Sequence, residues 1–240
     1  MKNQKEKAIQ NALKIEGYYQ EEELTFLYDI VQKYKNNGIV VEIGSLKGRS
    51  TSILCEACNG GKFKRELNKF NEKIVKNELD QEIEKKTWAF YYSKLKKINY
   101  VISIDLHFHP ISSNMIKVRG DTWKEINKLC FSYPNLISIF GPSNYIVNLL
   151  DKKVSIIHFN GSHQFDHIAE DIQIWWDKIQ ENGILIFHDY GIIREDIHVQ
   201  IVVDLLLKKN QCDIIGSSGK TIAIKKKVKI LKKNWWLNGT

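Results

Sequence analysis

Apolar positions along the chain switch between two periods. Over residues 2–16, Ala8, Ile9, Ala12, Leu13 and Ile15 recur at helical spacing among charged residues, which predicts an amphipathic helix interrupted at Gly17. Leu24, Leu27, Ile30, Val31 and Tyr34 repeat that pattern in EEELTFLYDIVQKYKN. Three acids open this second helix, where the helix dipole favours them, and Asn37-Gly38 stop it. The period then changes. Ile39-Val40-Val41-Glu42-Ile43 is a short β-branched run of the kind that forms a strand covered on both faces. Similar runs recur at 100–105, 136–140, 154–159 and 184–187, separated by helical patterns at 121–131, 144–150, 166–180 and 198–207. Two last runs, 213–217 and 221–225, meet across Ser218-Gly219 as a β-hairpin. Strands alternating with helices and closing on a hairpin predict an α/β fold: a doubly wound, Rossmann-like sheet of seven strands, mostly parallel, with a C-terminal antiparallel hairpin.

One stretch interrupts the alternation. Between Gly60-Gly61 and the second strand, Phe63, Leu67, Phe70, Ile74, Leu79, Ile83, Trp88, Phe90 and Tyr91 are interleaved with lysines and glutamates. A plain strand–helix connection is only a few residues long. Residues 60–98 therefore read as a helical insertion, either a lid over a ligand site or an exposed hairpin or dimer contact. The whole chain, 1–240, reads as one domain, with N-terminal helices over 1–37, this insertion, and a basic tail over 226–240.

Composition adds limits. The apolar fraction of 43% is that of an ordinary globular chain. No apolar run approaches the ~18 residues of a membrane helix, and the N-terminus lacks the apolar core of a secretory signal. Cys55, Cys58, Cys130 and Cys212 are few and lie in apolar segments, which predicts reduced thiols and a cytoplasmic protein. Cys55 and Cys58 form a C-x-x-C pair with no second pair beside it, a poor zinc site. The net charge is +8, concentrated in 62–97 and 225–233. It reads as solvated faces and a basic tail, or as a hint of an acidic partner such as an anionic small-molecule acceptor or an anionic membrane surface, since no nucleic-acid module is visible. A homo-oligomer stays open.

The chemistry concentrates in GIVVEIGSLKGRSTSIL, residues 38–54. Strand, glycine loop and helix opening form the unit that holds a nucleotide-like ligand at the carboxyl end of a parallel sheet. Gly44 and Gly48 are four apart with Leu46 between them, so the pyrophosphate fingerprint G-x-G-x-x-G is not met. Instead Glu42 precedes Gly44 by two. A carboxylate there would repel a phosphate and suits a ligand carrying an ammonium and a sulfonium. This string resembles motif I of the class I S-adenosylmethionine-dependent methyltransferases. VEIGSLKGRST is most similar to the subgroup that holds sugar O-methyltransferases of the macrocin type and cephalosporin-hydroxylase-like proteins. FNGSHQF after the fourth strand and FHDY after the fifth resemble that family's I-D-G-x-H and H-D-Y. The resemblance runs from about Gly17 to Lys226, the insertion excepted.

The resemblance implies S-adenosylmethionine as cofactor, gripped by Glu42, Gly44, Ser45, Gly48, Ser50 and Thr51. Asp105, ending the second strand, would accept its ribose hydroxyls. Gly141, Ser143 and Asn160 would line the rest of the cofactor site. His163 would be the general base that takes the acceptor's proton, with His188 second and His167 orienting or exposed. Asn160 departs from the family, which has Asp there and uses that Asp and the acid after strand five to bind Mg²⁺ in metal-dependent members. A weaker Mg²⁺ site on Asn160 and Asp189, or none, are both open. The implied activity is O-methylation of a sugar or other small hydroxylated acceptor. The alternative is a degenerate methyltransferase fold acting as a non-catalytic binding protein, which predicts an exposed apolar patch at Trp175 or Trp235-Trp236.

Overall fold

The structure, a computed structural model, describes residues 3–35, 38–59, 65, 99–106 and 113–236, with 113–121 described as helical backbone alone. The insertion expected over 60–98 lies outside these residues apart from Arg65, as does the end of the basic tail.

Seven strands form one sheet: β1 Ile39–Ile43, β2 Val101–Asp105, β3 Leu136–Phe140, β4 Val154–Phe159, β5 Ile179–Phe187, β6 Cys212–Ser218 and β7 Thr221–Lys226. Their order is β3-β2-β1-β4-β5-β7-β6. The first five are parallel, and β7 runs antiparallel to both β5 and β6. The seven-stranded sheet is thus the one the apolar runs predict. β1 and β4 are buried at every position, which is why their sequences show no alternation.

The helices are α1 Gln4–Leu13, α2 Glu21–Tyr34, α3 Arg49–Ala57, α4 Ser113–Ser132, α5 Ser143–Ile146 with a 3-10 turn Val147–Leu149, α6 Phe165–Trp175 and α7 Val199–Lys208. On one face of the sheet α1, α2 and α3 bury Ile9, Leu24, Leu27, Val31, Ile53 and Leu54 against Val40, Ile156 and Ile186. On the other, α6 and α7 bury Ile172, Val202 and Leu206 against Val41, Ile157 and Phe187. The tail crosses this second layer, placing Leu231 and Trp235 in the core. Trp175 and Trp176 are fully buried too. The exposed tryptophan patch expected of a degenerate binding protein is therefore absent at these positions.

Two boundaries move. The helix read over 166–180 ends at Trp175, and β5 begins at Ile179. Ile179 pairs with Val154, then the register jumps so that Ile156 pairs with Ile184. Asn182 sits at φ 60°, and a Cβ on Gly183 would stand 2.5 Å from the Ile179 side chain. Asn182-Gly183 mark a bulge inside a strand rather than a helix stop. Likewise α4 starts at Ser113, ahead of the cap expected at Asp121-Thr122, because interior Asp and Thr cost a helix only about 0.7 kcal/mol or less each.

Candidate active site

The chain leaves β1 for β2 and β3 on one side and returns to β4 and β5 on the other. The carboxyl ends of β1 and β4 therefore flank the switch point, where doubly wound sheets place their ligands. The loop after β1 is tied to both neighbours. Gly44 donates its N–H to Ile104 O at 2.8 Å, and Asn160 donates its own to Ile43 O at 2.8 Å. The Asn160 side-chain amide donates to Gly44 O at 3.1 Å.

Both loop glycines have left-handed backbones, φ 85° at Gly44 and 91° at Gly48. A Cβ on Gly44 would meet the Gly161 backbone, and one on Gly48 would meet the Leu129 and Ile126 side chains of α4. The close approach that demands glycine is thus made by the protein itself.

Asp105 fastens the loop from β2. One carboxylate oxygen accepts the backbone N–H of Ser45 at 2.8 Å and of Leu46 at 3.0 Å, with Leu46 at φ 50°. Successive N–H groups on a turned backbone form a concavity for an anion, and Asp105 fills part of it. The Ser45 hydroxyl lies 3.4 Å from the same oxygen.

Glu42 lies beneath the loop. It faces the α1–α3 layer and is fully buried. Ser50 donates its hydroxyl to Oε1 at 2.6 Å, Thr51 donates to Oε2 at 2.5 Å, and His158 Nδ1 lies 3.1 Å from Oε1. The carboxylate and both hydroxyls are bonded to one another and tie α3 to β1. A buried charge is tolerated only when paired in this way. Behind it, the Tyr19 hydroxyl shares a 2.6 Å hydrogen bond with His158 Nε2, burial first and then the charges of Glu42, Glu23 and Asp189 pushing that phenol well above its usual pKa. Tyr19 and His158 did not stand out in the sequence. The available signal was a lone Glu in one apolar strand and a lone His in another, which the register places directly opposite each other.

At the ends of β4 and β5, His163 Nε2 lies 2.8 Å from Asp189 Oδ2 and His188 Nδ1 lies 3.2 Å from the same oxygen. Asp189 holds this position at φ 62°. Burial alone would raise its carboxyl, but hydrogen bonds from His163 and His188 outweigh that and hold it well below the usual carboxylate range. His163 is 38% exposed, on the loop that follows β4. His188 is 3% exposed and lies behind Asp189. His167 is exposed and pairs with Ser162 at 2.9 Å rather than orienting His163. His198 fixes the loop between β4 and α6, donating its N–H to His163 O at 2.8 Å and accepting from Phe165 N at 3.2 Å. Gly141 donates its N–H to Asp105 O at 3.2 Å, while the Ser143 hydroxyl turns to Asp171 of α6.

The residues considered for magnesium do not fit it. Such an ion takes an octahedron of oxygens. Asp189 presents its Oδ2 to two imidazoles, and Asn160, whose amide nitrogen goes to Gly44, could offer an ion only one neutral oxygen. Among the described residues no group of three or more His, Cys, Asp or Glu side chains could hold an ion.

Residues 41–190 match the family described as Methyltransferase domain. No protein of curated function matches the chain in sequence. Solved structures match in fold. A proposed caffeoyl-CoA O-methyltransferase from Staphylococcus aureus aligns with TM-score 0.56 at 12% identity, over 95% of this chain and 93% of that one. The SAH-bound methyltransferase PaMTH1 of Podospora anserina aligns with TM-score 0.54 at 10% identity, over 95% and 89%. Cofactor-bound Rv0187 from MTB aligns with TM-score 0.53 at 10% identity, over 92% and 87%.

Proposed function

The chain belongs to the methyltransferase-domain family, and from that premise we propose that it is an S-adenosylmethionine-dependent O-methyltransferase acting on a small hydroxylated acceptor of the sugar type. The observation that carries the reading is Asp105. An acid ending β2, at the switch point, is locked by Ser45 and Leu46 N–H groups beside the loop after β1. In that place a carboxylate accepts ribose hydroxyls.

When bound, the cofactor supplies a methyl group already activated on a sulfonium. The chain's own task is alignment and proton removal. The loop 44–48 positions the donor through its backbone, braced by Glu42, while Gly141 and Ser143 bound the adenine side. Asp189 can only accept, so His163 donates Nε2–H to it and turns the lone pair of Nδ1 to the crevice. His163 Nδ1 then takes the acceptor's hydroxyl proton as the oxygen is methylated. The macrocin-type subgroup supports a sugar acceptor through FNGSHQF and FHDY, and the +8 charge favours an anionic one. No described helix is long and apolar enough to cross a membrane. The four free cysteines support a reducing compartment, the cytoplasm.

The test is incubation of the purified protein with methyl-labelled S-adenosylmethionine and a panel of sugars and nucleotide sugars, read by mass spectrometry. Acceptors gaining one labelled methyl support the reading. Label transfer to no hydroxylated acceptor, under conditions where S-adenosylhomocysteine binds, overturns it in favour of a binding protein.

A further inference from the structure

Glu23, on α2, is 1% exposed, which is unusual for a carboxylate and demands partners. Two come from the backbone: Gln20 N–H donates to Oε2 at 2.9 Å, and Lys220 N–H in the β6–β7 turn donates to Oε1 at 2.8 Å. Thr221 donates its hydroxyl to Oε1 at 3.4 Å, and the fourth neighbour is His188, whose Nε2 lies 3.6 Å from the same oxygen. That nitrogen is buried and has no hydrogen-bond partner among the described residues. Tyr19 stacks on the His188 ring at 3.9 Å between centroids and 24° between planes, so the imidazole cannot easily turn. Its other nitrogen faces Asp189 Oδ2 at 3.2 Å, and the same oxygen faces His163 Nε2 at 2.8 Å. Carboxylate and imidazole thus alternate from the interior to the crevice: Glu23, His188, Asp189, His163.

We propose that Glu23 is a positioning residue of the active site: its charge holds His188 against Asp189, and Asp189 in turn holds His163 with Nδ1 facing the acceptor. At 3.6 Å the link between Glu23 and His188 is a charge interaction rather than a hydrogen bond. Burial keeps such an interaction strong. The groups around the His188 ring are Glu23 from α2, Tyr19 from the α1–α2 segment, its neighbour Asp189 with His163 behind it, and the Glu42–His158 pair beyond Tyr19. The charge of Glu23 is the part that a helix cap alone would not need. An amide at position 23 keeps one accepting oxygen, enough for Lys220 N–H or for Gln20 N–H but not for both, so Glu23→Gln also costs a cap bond.

The role of His163 as base rests on the proposed function; the test of Glu23 does not. Nitrogen-15 NMR of histidine-labelled free protein reads which ring nitrogen of His163 and His188 carries hydrogen, with no donor or acceptor present. In the wild type, His188 carries hydrogen on both nitrogens at neutral pH, and His163 on Nε2. In Glu23→Gln, His188 loses its Nε2 hydrogen and His163 becomes a mixture of tautomers, read well below a melting temperature that the lost cap bond lowers. Where methyl transfer is measurable, kcat falls about tenfold with KM for the donor unchanged. An unchanged His163 signature in a folded Glu23→Gln protein overturns the proposal. If that variant does not fold, the wild-type spectrum decides: a His188 bare at Nε2 overturns it, and a doubly protonated His188 supports it.

Discussion

Gly44 and Gly161 pass backbone against backbone: a Cβ built on Gly44 would stand 2.4 Å from the Gly161 Cα. Gly44 also holds φ 85°. Gly44→Ala must therefore strain the residue and push two strand ends apart. Denaturant unfolding should show a loss of about 2–4 kcal/mol with the slope unchanged. A loss of only a few tenths would mean the two loops do not meet this way.

Glu42 offers a prediction that separates support from contact. The carboxylate is buried under Ser50, Thr51 and His158. Glu42→Gln should lower stability by about 1–3 kcal/mol through lost charge-assisted hydrogen bonds. The folded variant should still bind S-adenosylhomocysteine within about tenfold of wild type, about 1.4 kcal/mol. A loss of several hundredfold in a stable Glu42→Gln protein would place the carboxylate on the ligand.

His163 is the exposed end of the imidazole–carboxylate pair with Asp189. His163→Asn removes the base and leaves the loop after β1 intact. Steady-state kinetics should show kcat lower by about 10²–10⁴, the usual span for general-base catalysis, with KM for the donor unchanged.

The pH dependence of stability follows from His188. Burial alone would lower its pKa, but Asp189 and Glu23 outweigh burial and raise it. A raised folded-state value means that the stabilisation is fully present below the unfolded value of about 6.5 and is lost as pH rises through the folded one. The wild type should therefore melt above His188→Asn near pH 6, and the gap should narrow as pH rises above the unfolded value. A gap that widens with pH would contradict this assignment.

The apolar runs make the strands legible because a strand covered on both faces leaves no choice of residue. β1 and β4 are such strands, and their bounds match the sequence reading. Asn182-Gly183 misled because the same pair serves as helix stop and as bulge, and only pairing with Val154 distinguishes them. The site divides likewise. Asp105, His163 and Asp189 stand at strand ends, where the topology alone brings chemistry together. Glu23 on α2 and Tyr19 in the segment before it reach the site from beneath, 165 and 169 residues from His188 in the chain, and no local pattern announces such a contact. Glu42 was found by its spacing from Gly44, but spacing does not tell which layer a strand residue faces.

The central claim is that the loop after β1 and the carboxylate ending β2 together hold a methyl donor. Titration calorimetry with S-adenosylhomocysteine, on wild type and Asp105→Ala, tests it most directly. The account predicts one site per chain in the wild type. It predicts an affinity at least tenfold lower in Asp105→Ala, because the ribose loses its acceptor and Ser45 and Leu46 N–H lose theirs. No binding by the wild type, or equal binding by a folded Asp105→Ala protein, would contradict it.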